Sequence, residues 1–487
     1  MNTYIGIDLG TSGVKILLVD KDGKILSQTT EEYNVYYPKN GWSEQNPSDW
    51  MCAIKKGLDK LFDDKNKREN VKGVSFGGQM HGLVMLDNND QVIRPAILWN
   101  DGRTQKQTDF LNQTVGKEKL SILTANVAFA GFTAPKILWI KENEPENFNK
   151  IAKICLPKDY VAYMLTGVFS TDYSDAGGTL LLDVKNKCWS EEMCKICCVN
   201  KSWLPKLYES YEVTGKIKSE YGLPNAIATA GAGDNAAAAI GTGTVSGGNC
   251  NISLGTSGTV FICGDEFSVD KKNALHVFPH ATGRWHLMGC ILSAASANKW
   301  WIKDILNAEY DESREIEEKQ GDNNVYFLPY LMGERSPHND VNAKGAFIGM
   351  RQNTTREEMS LAVLEGVAFA LKDCVEVAKE NNIVVNKVTI CGGGAKSTLW
   401  KKIIANVFNV EINSVETEQG PGYGAAILAM VGAGEYESVL QATNNLVKIS
   451  STVYPDKIIS EKYLKKYEVY KKLYPALKSI FSDMAIV

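Results

Sequence analysis

Ile5-Gly6-Ile7-Asp8-Leu9-Gly10-Thr11-Ser12-Gly13-Val14-Lys15 decides the fold, because its centre occurs twice. The second copy reads Ile252-Ser253-Leu254-Gly255-Thr256-Ser257-Gly258-Thr259-Val260, with Ser253 where the first has Asp8. Each copy is an apolar, β-prone run, a glycine turn carrying small hydroxyls, and a second β-prone run, which is the pattern of a hairpin. Glycine tips let backbone N–H groups approach an anion, because no Cβ stands in the way. A single such turn is more often an ordinary hairpin, but the repeated Leu-Gly-Thr-Ser-Gly points to a duplicated architecture that holds phosphate between its halves. Thr11, Ser12, Lys15, Gly255 and Thr256 are the expected phosphate contacts.

Composition narrows the class. The 487 residues are enough for two to three domains as a soft prior. Hydrophobic content of 44% and charged content of 23% are those of an ordinary globular protein. A net charge of −4 without a basic block gives no electrostatic footing for nucleic acid or a membrane surface. No apolar run approaches the ~18 residues of a membrane span. The β pattern starts at Tyr4, which leaves no room for a signal peptide. Eleven cysteines, an odd number, are scattered with Cys263, Cys290 and Cys391 in apolar runs, as expected of reduced thiols in a cytoplasm. Cys194-Lys-Ile-Cys197-Cys198 lacks the second pair that a zinc site needs.

Outward from the first hairpin, Pro47 opens a helix expected to run to about Asp63. A short strand at 71–76 ends in Gly77-Gly78-Gln79-Met80-His81-Gly82, and Trp99-Asn100-Asp101-Gly102-Arg103 follows a second turn. Ala226–Ala230 reads as a buried strand leading through Gly231-Ala232-Gly233 into Asp234-Asn235 and a helix. The glycine-rich stretch 241–249 is the most linker-like segment and places the boundary near 245, giving domains 1–245 and 246–487. In the second half, Thr355-Arg-Glu-Glu358 has capping-box spacing and opens a long helix. The strand 387–391 runs into Gly392-Gly393-Gly394-Ala395-Lys396-Ser397, a glycine floor suited to a base or ribose. It is no P-loop, since Ala395 precedes the lysine. The segment 418–424 reads as a loop before a helix at 425–433. Tyr463, Tyr467, Tyr470, Leu473, Leu477 and Ile480 at helical spacing form a packing helix.

Asp8 and Asp234 both sit beside glycines at the ends of buried strands, where a carboxylate is costly unless it has a task. Phosphoryl transfer needs a cation to neutralise charge and a carboxylate to take the attacking hydroxyl's proton. Asp8 is the expected Mg²⁺ ligand, directly or through water. Asp234 is the expected base, kept ionised by the amides of its helix start. The ordinary alternative for Asp234 is a helix N-cap.

Taken together, these residues resemble the FGGY family of carbohydrate kinases over essentially the whole chain. Asp8–Gly13 and Ser253–Gly258 look like its two phosphate motifs. Gly131-Phe-Thr-Ala-Pro135-Lys136-Ile-Leu-Trp139 and Gly345-Ala-Phe-Ile-Gly349, with the helix to Gly366, fit its two signatures. Gly333-Glu334-Arg335-Ser-Pro337-His338-Asn339 also follows the family pattern. Ala232 and Met332 are mild departures from it.

The resemblance implies an α/β, two-domain actin/hexokinase-like ATPase fold, built from duplicated ribonuclease-H-like domains around an interdomain cleft. Sugar lies on the first domain and nucleotide on the second. The 79–82 and 99–103 motifs resemble those of family members that phosphorylate D-xylulose. They imply a sugar site of Met80, His81, Asp101, Arg103, Asp234 and Asn235, with Gly393, Gly394 and Ser397 under the adenosine. In this reading the His81 imidazole donates to a sugar hydroxyl, while Asp101 and Arg103 bind further hydroxyls or else form only a surface ion pair. Trp300 or Trp301 is expected near the base. The implied cofactors are ATP and Mg²⁺ and the expected partner is a small sugar; a homodimer fits the chain without being specified by it. A kinase for ribulose, gluconate or another polyol is the nearest alternative, and a non-catalytic, sugar-responsive actin-like ATPase the more distant one.

Overall fold

A computed structural model describes residues 1–62, 64–309, 317–417 and 419–485. Both copies of the repeated motif form the hairpins their sequence dictates. Thr3–Leu9 pairs antiparallel with Gly13–Asp20, and Asn249–Leu254 with Gly258–Gly264. Each lead strand also takes a parallel neighbour, Val71–Gly78 in the first half and Lys387–Cys391 in the second.

Around these triplets grow two seven-stranded sheets. The first runs Val213–Lys216, Ile227–Thr229, Val71–Gly78, Thr3–Leu9, Gly13–Asp20, Ile25–Glu32, with Ala232–Gly233 also paired to Val71–Gly78. The second runs His276–Pro279, Trp285–Ile291, Gly258–Gly264, Asn249–Leu254, Lys387–Cys391, Ile412–Val415, Ile449–Val453. The parallel strands are almost wholly buried, as strands covered on both faces must be.

Local chemistry explains the helix ends. Thr355 Oγ1 accepts from the Glu358 amide at 3.3 Å and Glu358 Oε2 from the Thr355 amide at 2.9 Å, closing the expected box before Arg356–Glu380. The terminal helix Lys457–Met484 buries Tyr463, Tyr467 and Tyr470 against that helix, but leaves Ile480 largely in solvent.

Several expectations are corrected. The helix from Pro47 ends at Lys60, and Asp63 lies outside the described residues. The segment 241–245 is no linker: Thr242, Thr244 and Val245 are buried, and the Thr244 carbonyl is bonded to His280 Nε2 at 2.9 Å.

The glycines from 420 onward belong to the helix Gly420–Gly432 rather than to a loop; Glu418 lies outside the described residues. The reason is non-local. This helix crosses onto the first sheet and packs along Asp234–Gly241, where a Cβ at Gly424 would stand 1.8 Å from the Ala237 carbonyl oxygen. On its sheet side, a Cβ at Gly6 would stand 2.0 Å from the Gly422 carbonyl oxygen. Only glycine permits both approaches.

Candidate active site

Asp8 lies at the C-terminal end of the first lead strand, opposite Lys15 across the hairpin and Gly77 across the parallel pair. Its carboxylate takes no side-chain or backbone hydrogen bond from the described residues. Burial pushes it up to about 6 against the opposing pull of Lys15. Lys15 itself donates to Gln419 Oε1 at 2.8 Å, tying the first hairpin to the crossing helix. Thr11 Oγ1 is bonded to Gln79 Oε1 at 3.3 Å and accepts from Trp99 Nε1 at 3.0 Å. The hairpin tip is thereby wired to the 79–82 and 99–103 segments, with Ser12 exposed beside it.

Asp234 is the first residue of its helix, and Gly233 occupies the cap position, so the carboxylate is not an N-cap. Its Oδ1 accepts from the Asn235 amide at 2.7 Å and from Asn235 Nδ2 at 2.9 Å. The expectation that the helix start keeps it ionised is corrected. Burial, reinforced by the charge of Asp8, outweighs the amide bond and pushes Asp234 up to about 7. Asp8 and the turn before Asp234 flank the same strand end, Asp8 opposite Gly77 and Ala232–Gly233 opposite Gly77–Gly78.

His81 and Met80 adjoin them. Asn235 Nδ2 approaches Met80 Sδ at 3.8 Å, and a Cβ at Gly233 would stand 3.0 Å from that sulfur. His81 sits at φ 69°, a left-handed conformation that is costly for this residue type. Three contacts hold it there. Its carbonyl accepts from Lys136 Nζ at 2.9 Å and Thr133 Oγ1 at 3.0 Å, and its ring stacks on Phe132 at 4.6 Å. Nδ1 lies 2.8 Å from the Gly178 carbonyl and must carry the proton, because a carbonyl only accepts. Burial lowers the imidazole to about 3, so it stays neutral and Nε2 has no proton to give. Any further bond that Nε2 makes is therefore as an acceptor, not as the donor expected from sequence.

Sequence reasoning missed Lys136 as a strut. It is fully buried, bonds the His81 and Gly131 carbonyls at 2.9 and 2.7 Å, and is lowered to about 7, chiefly by burial.

Asp101 and Arg103 do not form the surface ion pair that was the plainer alternative. Both side chains are buried; they bond chiefly to each other, while Arg103 Nη1 is left without a hydrogen-bond partner among the described residues. Asp101 accepts from Arg103 Nε at 2.9 Å, Arg103 Nη2 at 2.7 Å and the Ser43 amide at 2.6 Å. The guanidinium lies 3.6 Å from the Trp42 ring centroid and 5.0 Å from that of Trp139, and pairs also with Glu44. Together they form a clamp that folds the 99–103 loop against the 42–45 segment, with Trp99 itself left half-exposed.

In the second lobe Thr256, Gly393, Gly394 and Ser397 line one cleft of about 760 Å³. Ser397 caps the helix Thr398–Phe408, its Oγ accepting from the Trp400 amide at 3.0 Å. The Gly255 carbonyl accepts from the Ala295 amide at 2.9 Å, and Ser296 Oγ donates to the Thr256 carbonyl at 2.7 Å, fixing the second tip at the cleft edge.

Of the two tryptophans, Trp300 lines the cleft. Trp301 turns into the core, its Nε1 donating to Ser360 Oγ at 2.9 Å. Ser296, Lys299 and Lys303 also line it and were not foreseen; the signal was the cation spacing at 299 and 303 after a small-residue run. Another cavity of about 750 Å³, lined by His338, Asp373 and Tyr474, contains none of the expected site residues.

Among the described residues no cluster of three or more His, Cys, Asp or Glu side chains is arranged to hold a metal, and no helix is long and apolar enough to cross a membrane.

Comparison with known proteins gives the family. Residues 3–241 match the N-terminal domain of the FGGY family of carbohydrate kinases and residues 250–433 its C-terminal domain. The xylulose kinase of Escherichia coli K12 is 39% identical, the match covering 97% of this chain and 99% of that protein. Among solved structures, one described as a xyloylose kinase from Brucella ovis superposes with a TM-score of 0.93 at 37% identity, covering 98% of this chain and 100% of that one. A gluconate kinase from Lactobacillus acidophilus superposes nearly as well, at 0.92, with 26% identity and 99% of each chain covered.

Proposed function

This chain belongs to the FGGY family of carbohydrate kinases, and from that premise we propose that it transfers the γ-phosphoryl group of ATP to the terminal primary hydroxyl of D-xylulose, giving D-xylulose 5-phosphate and ADP. The single observation that carries the mechanism is that Asp8 and the turn delivering Asp234 meet at the same strand end, Asp8 opposite Gly77 and Ala232–Gly233 opposite Gly77–Gly78.

Asp234 accepts the proton of the attacking hydroxyl, and that oxygen forms the new bond to the γ-phosphorus as the bond to ADP breaks. Asn235 fixes the carboxylate's rotamer. His81 Nε2 accepts from a sugar hydroxyl, and Met80 packs on the carbon chain. Asp101 and Arg103 act through the clamp, holding the Trp99 loop rather than touching sugar. Thr11, Ser12, Lys15, Gly255 and Thr256 attend the phosphates.

Asp8, a half-buried carboxylate without a hydrogen bond among the described residues, fits a Mg²⁺ site that takes the rest of its ligands from phosphate and water. Mg²⁺, when bound, neutralises charge on the transferring phosphoryl oxygens. The 39% identity to a xylulose kinase and the Met80-His81 pair support D-xylulose over gluconate or ribulose. The eleven free cysteines fit a reducing compartment.

The test is the product. With D-xylulose and Mg·ATP, ³¹P and ¹³C NMR should show one phosphoester, at C5. Phosphate at C1, or hydrolysis to inorganic phosphate alone, contradicts the assignment.

Two further outcomes are expected. A base near 7 is lost on acidification, so kcat/KM should fall about tenfold per unit as pH drops below about 7. Saturating Mg²⁺ should shift that limb to lower pH, because added positive charge favours the carboxylate. A profile flat down to pH 5.5 contradicts Asp234 as the base.

Gly393 is the second case: a Cβ there would meet nothing within 4 Å, so Gly393→Ala should fold normally. It should nevertheless raise KM for ATP about threefold to tenfold by lifting the nucleotide off its floor. An unchanged KM removes Gly393 from the nucleotide site.

A further inference from the structure

Behind the turn that delivers Asp234 lies a buried polar cluster with no part in the proposed chemistry. Lys158, wholly buried, places Nζ 2.7 Å from Asp159 Oδ1, 3.0 Å from Asp172 Oδ1 and 3.8 Å from Asp175 Oδ2. Taking such charges out of water is costly, and pairing repays it only where the remaining polar atoms are also satisfied. Burial also pushes the Asp175 carboxyl well above its ordinary value, and neither of its oxygens has a hydrogen-bond partner. As a source of stability the arrangement is a poor one, and what it grips is more informative.

Lys158 Nζ also donates to the Ala230 carbonyl at 3.3 Å. Asp172 Oδ2 accepts three bonds, from the Ser174 amide at 2.8 Å, Ser174 Oγ at 2.5 Å and Ser210 Oγ at 2.8 Å. Ser174 Oγ in turn accepts from the Gly233 amide at 3.1 Å, and the Ser210 carbonyl accepts from the Gly231 amide at 3.0 Å. The turn 230–233 is therefore held at Ala230, Gly231 and Gly233, immediately before the carboxylate. On its other side, the Asp175 carbonyl accepts from the Gly178 amide at 2.9 Å, and the Gly178 carbonyl holds His81 Nδ1.

We propose that Ser174, anchored to Lys158 through Asp172, is a positioning residue: its hydroxyl oxygen fixes the Gly233 amide and so sets the direction in which Asp234 enters the cleft. This rests on Asp234 being the proton acceptor. Gly233 has no side chain with which to fix its own conformation, and a Cβ there would crowd the Met80 side chain at 3.0 Å. The backbone ahead of the reactive group is consequently tied from outside. A small misplacement of a reacting group costs up to about 10²-fold in rate.

Two serines make a matched test. Ser174→Ala and Ser210→Ala each delete one buried hydroxyl that donates to the same Asp172 oxygen, but only the first removes the acceptor for the Gly233 amide. Ser174→Ala should lower kcat about 10–100-fold with KM for sugar and ATP within about threefold of the parent. Ser210→Ala should keep kcat within about threefold while losing comparable thermal stability.

Equal kcat losses in the two variants, or a normal kcat in Ser174→Ala, overturns the proposal and assigns the cluster to stability alone. If Ser174→Ala does not fold, Ser174→Cys carries the same comparison, its sulfur being a weaker acceptor. Asp234→Asn measured alongside separates the two readings. A fast Asp234→Asn enzyme defeats the base assignment, whereas a slow one with Ser174→Ala and Ser210→Ala indistinguishable defeats only the positioning role.

Discussion

Asp234→Asn is expected to cut kcat by about 10²–10⁴ while sugar binding is kept, because it removes the proton acceptor and little of the pocket's shape. Asparagine is nearly isosteric, and its oxygen can still accept from the Asn235 amide that now bonds Asp234. The same substitution carries a stability signature of opposite sign.

Asp234 is raised from 3.8 to about 7 on folding, so the folded state binds a proton more tightly than the unfolded chain. Its contribution is favourable at low pH and is lost as pH rises through about 7. At pH 8 the parent carries a partly buried charge that Asn does not, and Asp234→Asn should melt above the parent. A slow enzyme that is also more stable distinguishes a catalytic carboxylate from a structural one. A variant both slow and less stable would mark Asp234 as a structural residue.

Gly424→Ala is expected to have the largest effect on the fold. In an isolated helix the change would help by about 1 kcal/mol, since glycine is a poor helix former. Here the new methyl would lie 1.8 Å from the Ala237 carbonyl oxygen, a backbone atom of the neighbouring helix that cannot swing aside. Overpacking of this kind costs about 1–3 kcal/mol, occasionally more, and outweighs the propensity gain. The two helices must separate, and the second begins with Asp234. Gly424→Ala should therefore lower the thermal midpoint and also kcat, whereas Gly434→Ala, with nothing within 4 Å but φ 79°, should cost only local strain. Equal, small effects of the two would mean that helix contact is softer than drawn.

What was legible in the sequence follows from what is local. Leu-Gly-Thr-Ser-Gly between β-prone runs encodes its own hairpin, and the spacing Thr355 to Glu358 encodes its own cap, so both are found where expected. The junction at Asp234, between a buried strand and an alanine-rich helix, is likewise found where expected.

The failures are all non-local. Nothing near Gly420 says that its helix meets a carbonyl of another helix nearly two hundred positions away, so its glycines read as a loop. Asp101 and Arg103 could pass for a surface ion pair until Trp42 and Trp139, from distant segments, close over the guanidinium. His81 looks like a donor until the Gly178 carbonyl, ninety-seven residues on, claims Nδ1. The electrostatics of Asp234 reversed for the same reason: amides at a helix start are visible in sequence, while the desolvation that outweighs them depends on packing from the rest of the lobe.

The most direct test of the account is coupled ADP release with Mg·ATP, measured against D-xylulose, D-ribulose, L-ribulose, gluconate and glycerol with a sugar-free control. The account predicts that D-xylulose leads in kcat/KM by tenfold or more, equivalent to about 1.4 kcal/mol in the transition state. Absence of any sugar-stimulated ADP release, or a lead by gluconate or glycerol, would contradict it.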